Sequence, residues 1–152
     1  MANIKLFENK KIRSDWNEAE QKWYFAVVDV IEVLTESGKP RDYWYRLKRR
    51  EKESSGIELS TFYRQLKIES SDGKKYSTEY SDVQGLLRII QCIPSQKAEP
   101  FKRWLATVGY ERLEEIENPE LAQHRMREMY KLIFVINPFL KNINERLIRK
   151  LR

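Results

Sequence analysis

Trp23-Tyr24-Phe25-Ala26-Val27-Val28-Asp29-Val30 and, after a break at Ser37-Gly38-Lys39-Pro40, Asp42-Tyr43-Trp44-Tyr45-Arg46-Leu47-Lys48-Arg49-Arg50 decide the fold of this chain. The first stretch is an aromatic strand running into an apolar helix, because Val27, Val30, Ile31 and Leu34 recur at helical spacing. Asp29 falls in the first turn, where a carboxylate suits the positive end of the helix dipole. Gly38 is the expected stop, and Pro40 can open the next helix because its missing N–H is not needed there. That second helix is aromatic on one side and densely cationic on the other. Two short helices joined by a Gly-containing turn, the second one basic, is the layout of a helix-turn-helix DNA reader. Nucleic acid is therefore the first partner to consider.

Working outward, Ile4-Lys5-Leu6-Phe7 and Ile12-Arg13-Ser14 flank Asn9-Lys10-Lys11 as a hairpin, and Trp23-Tyr24-Phe25 follows a polar turn at 17–21. The stretch from Leu59 to Tyr63 reads ambiguously. Gln65-Leu66-Lys67-Ile68 and Lys75-Tyr76-Ser77-Thr78-Glu79-Tyr80 read as two strands, joined by the Asp72-Gly73 signal of a tight turn. Asp82 caps a helix carrying Val83, Leu86, Leu87, Ile90 and Ile93, which Pro94 ends. Ser95 opens another, with Phe101, Trp104, Leu105 and Val108 on one face, continuing past Gly109 to Leu113 and Ile116. Asn118-Pro119-Glu120 is a cap followed by proline, and starts a helix with Ala122, Met126, Met129 and Ile133. Pro138 separates a final segment. Mixed hairpins and helices without a βαβ run predict an α+β fold: small antiparallel hairpins, a helix-turn-helix-like pair and a C-terminal helical part. Residues 1–118 are expected to form the DNA-binding domain, and 119–152 a helical extension for oligomerisation or packing.

The net charge of +6 is unevenly spread over the 152 residues. Residues 41–52 hold six basic and two acidic side chains, and 119–152 hold eight against three. The remaining segments are each slightly acidic. An excess concentrated in one short helix and one tail points to a polyanion. The single cysteine, Cys92, excludes an internal disulfide, and the start lacks a secretory signal, so a reducing cytoplasm is the expected location. No apolar run approaches the roughly 20 residues that span a bilayer.

On a helical wheel Tyr43, Trp44 and Leu47 share one face. Asp42, Tyr45, Arg49 and Lys52 lie opposite, flanked by Arg41 and Lys48. In the DNA reading, Arg46 and Arg49 donate bidentately to guanine or phosphate, while Tyr45 and the lysines touch the backbone. The competing reading is a solvated amphipathic helix. Lys74 and Lys75 at the hairpin tip are either a wing laid on phosphates or ordinary solubilising charge. Trp23, Tyr24, Phe25, Phe101 and Trp104 read as core. His124 has no second histidine to share a metal, Cys92 has no base beside it, and no clustered glycines cradle a phosphate. No catalytic set, metal or cofactor is expected. The tail, with Phe139, Leu140, Ile143, Leu147 and Leu151 among cations, is a packing or self-association helix, a membrane-surface helix, or a segment without fixed structure. The first is preferred, with Met126, Met129 and Ile133 at the contact of a homodimer.

The strand-to-helix signature Trp23-Tyr24-Phe25 with Asp29-Val30, and the turn and basic helix Pro40-Arg41-Asp42-Tyr43-Trp44, resemble the Bro-N family. Its members are the N-terminal domains of baculovirus Bro proteins, phage antirepressors and bacterial DNA-damage-inducible D proteins. The last branch is similar at Asp72-Gly73-Lys74-Lys75-Tyr76, Arg88-Ile89-Ile90-Gln91, Ile93-Pro94-Ser95 and Lys97-Ala98-Glu99-Pro100-Phe101-Lys102. It is similar again at Val108-Gly109-Tyr110-Glu111-Arg112 and at 115–122. The resemblance runs from about residue 4 to residue 130, and nothing from Lys131 onward carries it. It implies a non-enzymatic, DNA-binding α+β module of phage or stress regulation. Double-stranded DNA is the expected partner, and RNA the weaker candidate. A module that sequesters a repressor or DNA-processing protein without touching DNA is the alternative, since antirepression does not itself require DNA contact.

Overall fold

The structure is a computed structural model that describes residues 3–7, 10–69 and 72–136, with side chains for 11–69 and 72–132. Strands β1 (Asn3–Phe7), β2 (Lys10–Asn17) and β3 (Lys22–Ala26) form a meander. Helices α1 (Val27–Thr35) and α2 (Pro40–Ser55) follow, then a 3-10 turn (Leu59–Phe62) and the hairpin β4 (Arg64–Glu69) and β5 (Lys75–Asp82). Helices α3 (Val83–Gln91), α4 (Glu99–Glu117) and α5 (Pro119–Ile136) complete the described chain. The five strands lie in the order β1-β2-β3-β5-β4, with every neighbouring pair antiparallel. The fold is α+β, as the order of elements predicts.

Within the described residues the expected elements occur, with local differences. Gly38 does not stop α1. Glu36 does, in the left-handed region at φ 53°, its N–H donating to the Glu32 carbonyl. The ambiguous stretch after Ile57 is the 3-10 turn. Ser95 caps a short 3-10 turn (Gln96–Ala98) that leads into α4, its hydroxyl accepting from the Lys97 N–H. Asp82 caps α3 through a 2.8 Å bond from the Gly85 N–H. Gly85 is required at this point for space as well. A Cβ there would collide with the Phe62 carbonyl oxygen and the Ser81 hydroxyl. Gly73 takes φ 76° in the hairpin turn, a conformation that costs a residue with a Cβ.

One sheet face meets the helices. Ser14, Phe25 and Ser81 stand in one row across β2, β3 and β5, and the two serines are fully buried. Small side chains in that row allow close approach. Above them Val27, Val30, Ile31 and Leu34 of α1 pack with Trp44 and Leu47 of α2 and with Leu86, Ile89 and Ile90 of α3. Phe101, in the first turn of α4, packs against this cluster. The other face carries Tyr24, Ala26 and Tyr80 with Leu66 and Ile68 beside them. Arg13 ties sheet to helix: its backbone N–H and its guanidinium donate to both oxygens of Asp29, at 2.8–2.9 Å. Asp29 thus serves β2 as well as the dipole of α1.

The chain divides into two compact units, Met1–Arg103 and Trp104–Arg152. The expected boundary at 118 is where α4 gives way to α5, with the Asn118 side chain accepting from the Glu120 N–H. The division into units falls earlier, inside α4. In the second unit Glu115 is the one buried residue among positions 104–132, held by Arg125 at 2.7 Å and Arg112 at 3.5 Å. Trp104, expected in the core, is 52% exposed.

Candidate nucleic-acid interface

Helix α2 begins with proline in its first turn and ends at Gly56. Every third or fourth position faces inward: Trp44 and Leu47 are buried and Tyr43 is half-buried. The helix lies against the β4–β5 hairpin, and one carboxylate fixes it there. Glu79 of β5 accepts from the Trp44 indole N–H, from Lys48 Nζ on both oxygens (3.0 and 3.1 Å) and from Gln65 Nε2 at 3.3 Å. The Lys48 ammonium also lies 5.0 Å from the Trp44 ring and 5.2 Å from that of Tyr63. A cation held by a carboxylate and two rings is largely committed to the fold.

The other candidates are displayed differently. Tyr45 is 64% exposed, and Arg41, Arg46, Arg49 and Lys52 are all exposed. Arg49 pairs with Glu53 and Lys52 with Glu58, both at 2.8 Å. These pairs lie in open solvent, where they contribute little and exchange readily for another anion. Arg41 and Arg46 have no side-chain partner among the described residues. Tyr45, Arg49 and Lys52 line a shallow cleft with Glu58, Ser60 and Tyr63. Lys74 and Lys75 are exposed beyond the hairpin turn, where Asp72 accepts from the Lys74 N–H at 3.0 Å.

Strand register adds a residue that helix-centred reasoning passes over. Lys67 pairs with Ser77 and Lys75 with Glu69, so they alternate with Gln65 and Glu79 on the hairpin face that carries α2. Exposed Lys67 therefore extends the cationic surface from the helix along β4. The period-2 pattern of Gln65, Lys67 and Glu69 was the available signal. For Glu79 the sequence offers none.

The rest of the surface holds little that suggests chemistry. Burial, together with the charge of Glu51, pushes the Cys92 thiol above its ordinary value, so it stays protonated near neutrality. Among the described residues no cluster of His, Cys, Asp or Glu is placed to hold a metal ion, and no helix is long and apolar enough to cross a membrane. Met126 and Met129 are exposed on α5, at 53% and 56%. The Ile133 side chain and the residues from 137 onward, where a tail helix is expected, lie outside the described set.

An α+β fold with a basic second helix beside a lysine-bearing hairpin presents a cationic surface of the kind that suits a polyanion. The sequence matches the family described as BRO family, N-terminal domain, over residues 11–114, and the chain belongs to that family. The family is one of regulatory domains of DNA-binding, antirepressor type. No curated protein and no solved structure matches the chain.

Proposed function

We propose that the chain is a non-enzymatic regulator that binds duplex DNA through α2 and lays the β4–β5 hairpin on the phosphate backbone. The carrying observation is that, with α2 packed, the cations Arg41, Arg46, Arg49 and Lys52 all remain on its exposed side, none held in a buried pair. On this reading Arg46 and Arg49 reach base edges. Arg41, Tyr45, Lys52, Lys67, Lys74 and Lys75 contact phosphates, and Lys48 positions the helix. The setting is antirepressor-like regulation of phage, prophage or damage-response genes in the cytoplasm.

Gel shifts on random and genomic duplexes at several salt concentrations test the proposal. With about five phosphates neutralised, log K falls against log[salt] with a slope of roughly −4 to −5. A flat response, or no binding at low salt, overturns it. That result would leave the chain as a module docking a repressor or DNA-processing protein.

The protein further acts as a homodimer joined through its second unit. Leu113, Ile116, Met126, Met129 and Leu132 are each more than half exposed, on a pair of helices whose buried residue is a carboxylate. Apart from buried Glu115, residues 111–120 carry four exposed carboxylates and one guanidinium, whereas 121–132 carry three cations and one carboxylate. Such a surface complements itself under two-fold pairing, apolar to apolar and acidic to basic. Pairing also gives one assembly two reading helices. Light scattering at tens of micromolar is expected to give twice the chain mass, and a monomer there refutes the dimer.

A further inference from the structure

Tyr80 combines two properties that rarely coexist. The residue is 1% exposed, and its hydroxyl has no hydrogen-bond partner among the described residues. A buried hydroxyl left unmatched is costly, so native structures supply it with protein, water or ligand. No described side-chain polar atom is both sealed from solvent and without a partner, so the small surface of Tyr80 includes its oxygen. That oxygen opens into a cleft of about 270 Å³, where Tyr80 joins Arg13, Arg41, Thr78, Tyr76 and Ile68, with Glu69 also in its lining.

The groups around this cleft are mostly donors. Arg41, in the first turn of α2, has no side-chain partner among the described residues. Arg13 gives Nε and Nη2 to Asp29, which leaves Nη1 for another acceptor. Burial raises the Tyr80 phenol above its ordinary value, so it remains a donor near neutrality. Thr78 adds a second hydroxyl. The Tyr76 hydroxyl is already given to Asp72 at 2.7 Å, so Tyr76 supplies mainly ring surface beside Ile68. Glu69 is the carboxylate in the lining, and it is exposed, while Asp29 and Asp15 lie near enough to Tyr80 to raise its phenol further.

We propose that this cleft binds a single phosphate group, received by Arg41, Arg13 Nη1 and the hydroxyls of Tyr80 and Thr78. Charge-assisted bonds from guanidinium groups suit a phosphate oxygen, and the converging donors have few acceptors of their own. The group comes either from a DNA backbone beside the start of α2 or from a free nucleotide. The first source rests on the DNA reading above, and the second does not.

Titration of the full chain with inorganic phosphate, with a deoxynucleoside 5′-monophosphate and with a short duplex separates these cases. Amide shifts at Thr78 and Tyr80 on adding inorganic phosphate locate the site. Tyr80→Phe removes only the oxygen and is expected to fold. It should weaken phosphate binding by at least about tenfold, as should Arg41→Gln, whereas Glu69→Gln tightens it. Lys102→Gln, outside the lining of the cleft, should leave inorganic phosphate binding unchanged. A nucleotide bound more tightly than inorganic phosphate identifies a free nucleotide as the source. Equal affinities, with duplex binding weakened by Tyr80→Phe, identify the backbone. Loss of phosphate affinity in Tyr80→Phe without any duplex binding keeps the site and removes the DNA reading. Absence of phosphate binding at millimolar concentration, or unchanged affinity in Tyr80→Phe, means that water alone fills the cleft and overturns the proposal.

Discussion

Helix α2 and the helices of the second unit are built from similar materials and leave opposite things unused. In α2, Trp44 and Leu47 are buried, Lys48 is clasped by Glu79, and what remains outside is mostly charge, with Tyr45 among it. Across 104–132 the buried residue is Glu115, a charge held by Arg112 and Arg125, and what remains outside includes Leu113, Ile116, Met126 and Met129. Surplus cations are retained at little cost in water and act on polyanions. Surplus apolar area is unfavourable in water and drives association. One chain thus presents two surfaces of different chemistry.

Substitution of the two helical tryptophans gives the largest expected contrast. Trp44→Ala removes a buried ring and the indole bond to Glu79, and should cost about 3–5 kcal/mol in urea unfolding. Trp104→Ala, at a half-exposed ring, should cost less than about 1 kcal/mol. Equal losses would mean that the second unit is packed like the first, and the contrast would fail.

Arg49→Ala, and separately Arg46→Ala, should weaken binding to a preferred duplex by about 1–3 kcal/mol and binding to random duplex by less. Lys67→Ala, or Lys74→Ala with Lys75→Ala, should weaken both duplexes alike. Uniform losses throughout would reduce α2 to an electrostatic clamp.

Met126→Glu with Met129→Glu should halve the mass seen by light scattering. Stability of the monomer should stay within about 0.5 kcal/mol, because both side chains are exposed. An intact dimer would place the interface elsewhere.

The smallest effect is on pH dependence. Glu20 is held below its ordinary value of 4.5 first by the Arg64 hydrogen bond and then by that of Tyr24, and Glu58 is lowered by Lys52. A carboxylate depressed in the folded state contributes stability above its unfolded value and loses it as pH falls through the folded one. The urea midpoint should therefore be level from about pH 7 to about pH 5 and fall below 4.5, the ordinary value of these groups. Glu20→Gln should shrink that fall, and an unchanged profile would mean that the Glu20–Arg64–Tyr24 contact does not form in solution.

Local pattern determined much of this protein. The strand from Lys22 to Ala26 running into α1, Pro40 opening α2, the Asp82 cap and the Asn118-Pro119 helix start all follow from propensity and capping over a few residues. The helical wheel also gave the buried and exposed sides of α2, because a helix turns by a fixed angle per residue. Tertiary structure alone decided which charges are committed. Lys48 and Arg49 are neighbours with similar side chains, yet Lys48 meets Glu79, 31 residues away, while Arg49 meets Glu53 on its own helix. It decided as well that Asp29 would bind Arg13 and that the Tyr80 hydroxyl would open into a cleft. Those outcomes depend on strand order and register, which join residues that no local spacing relates.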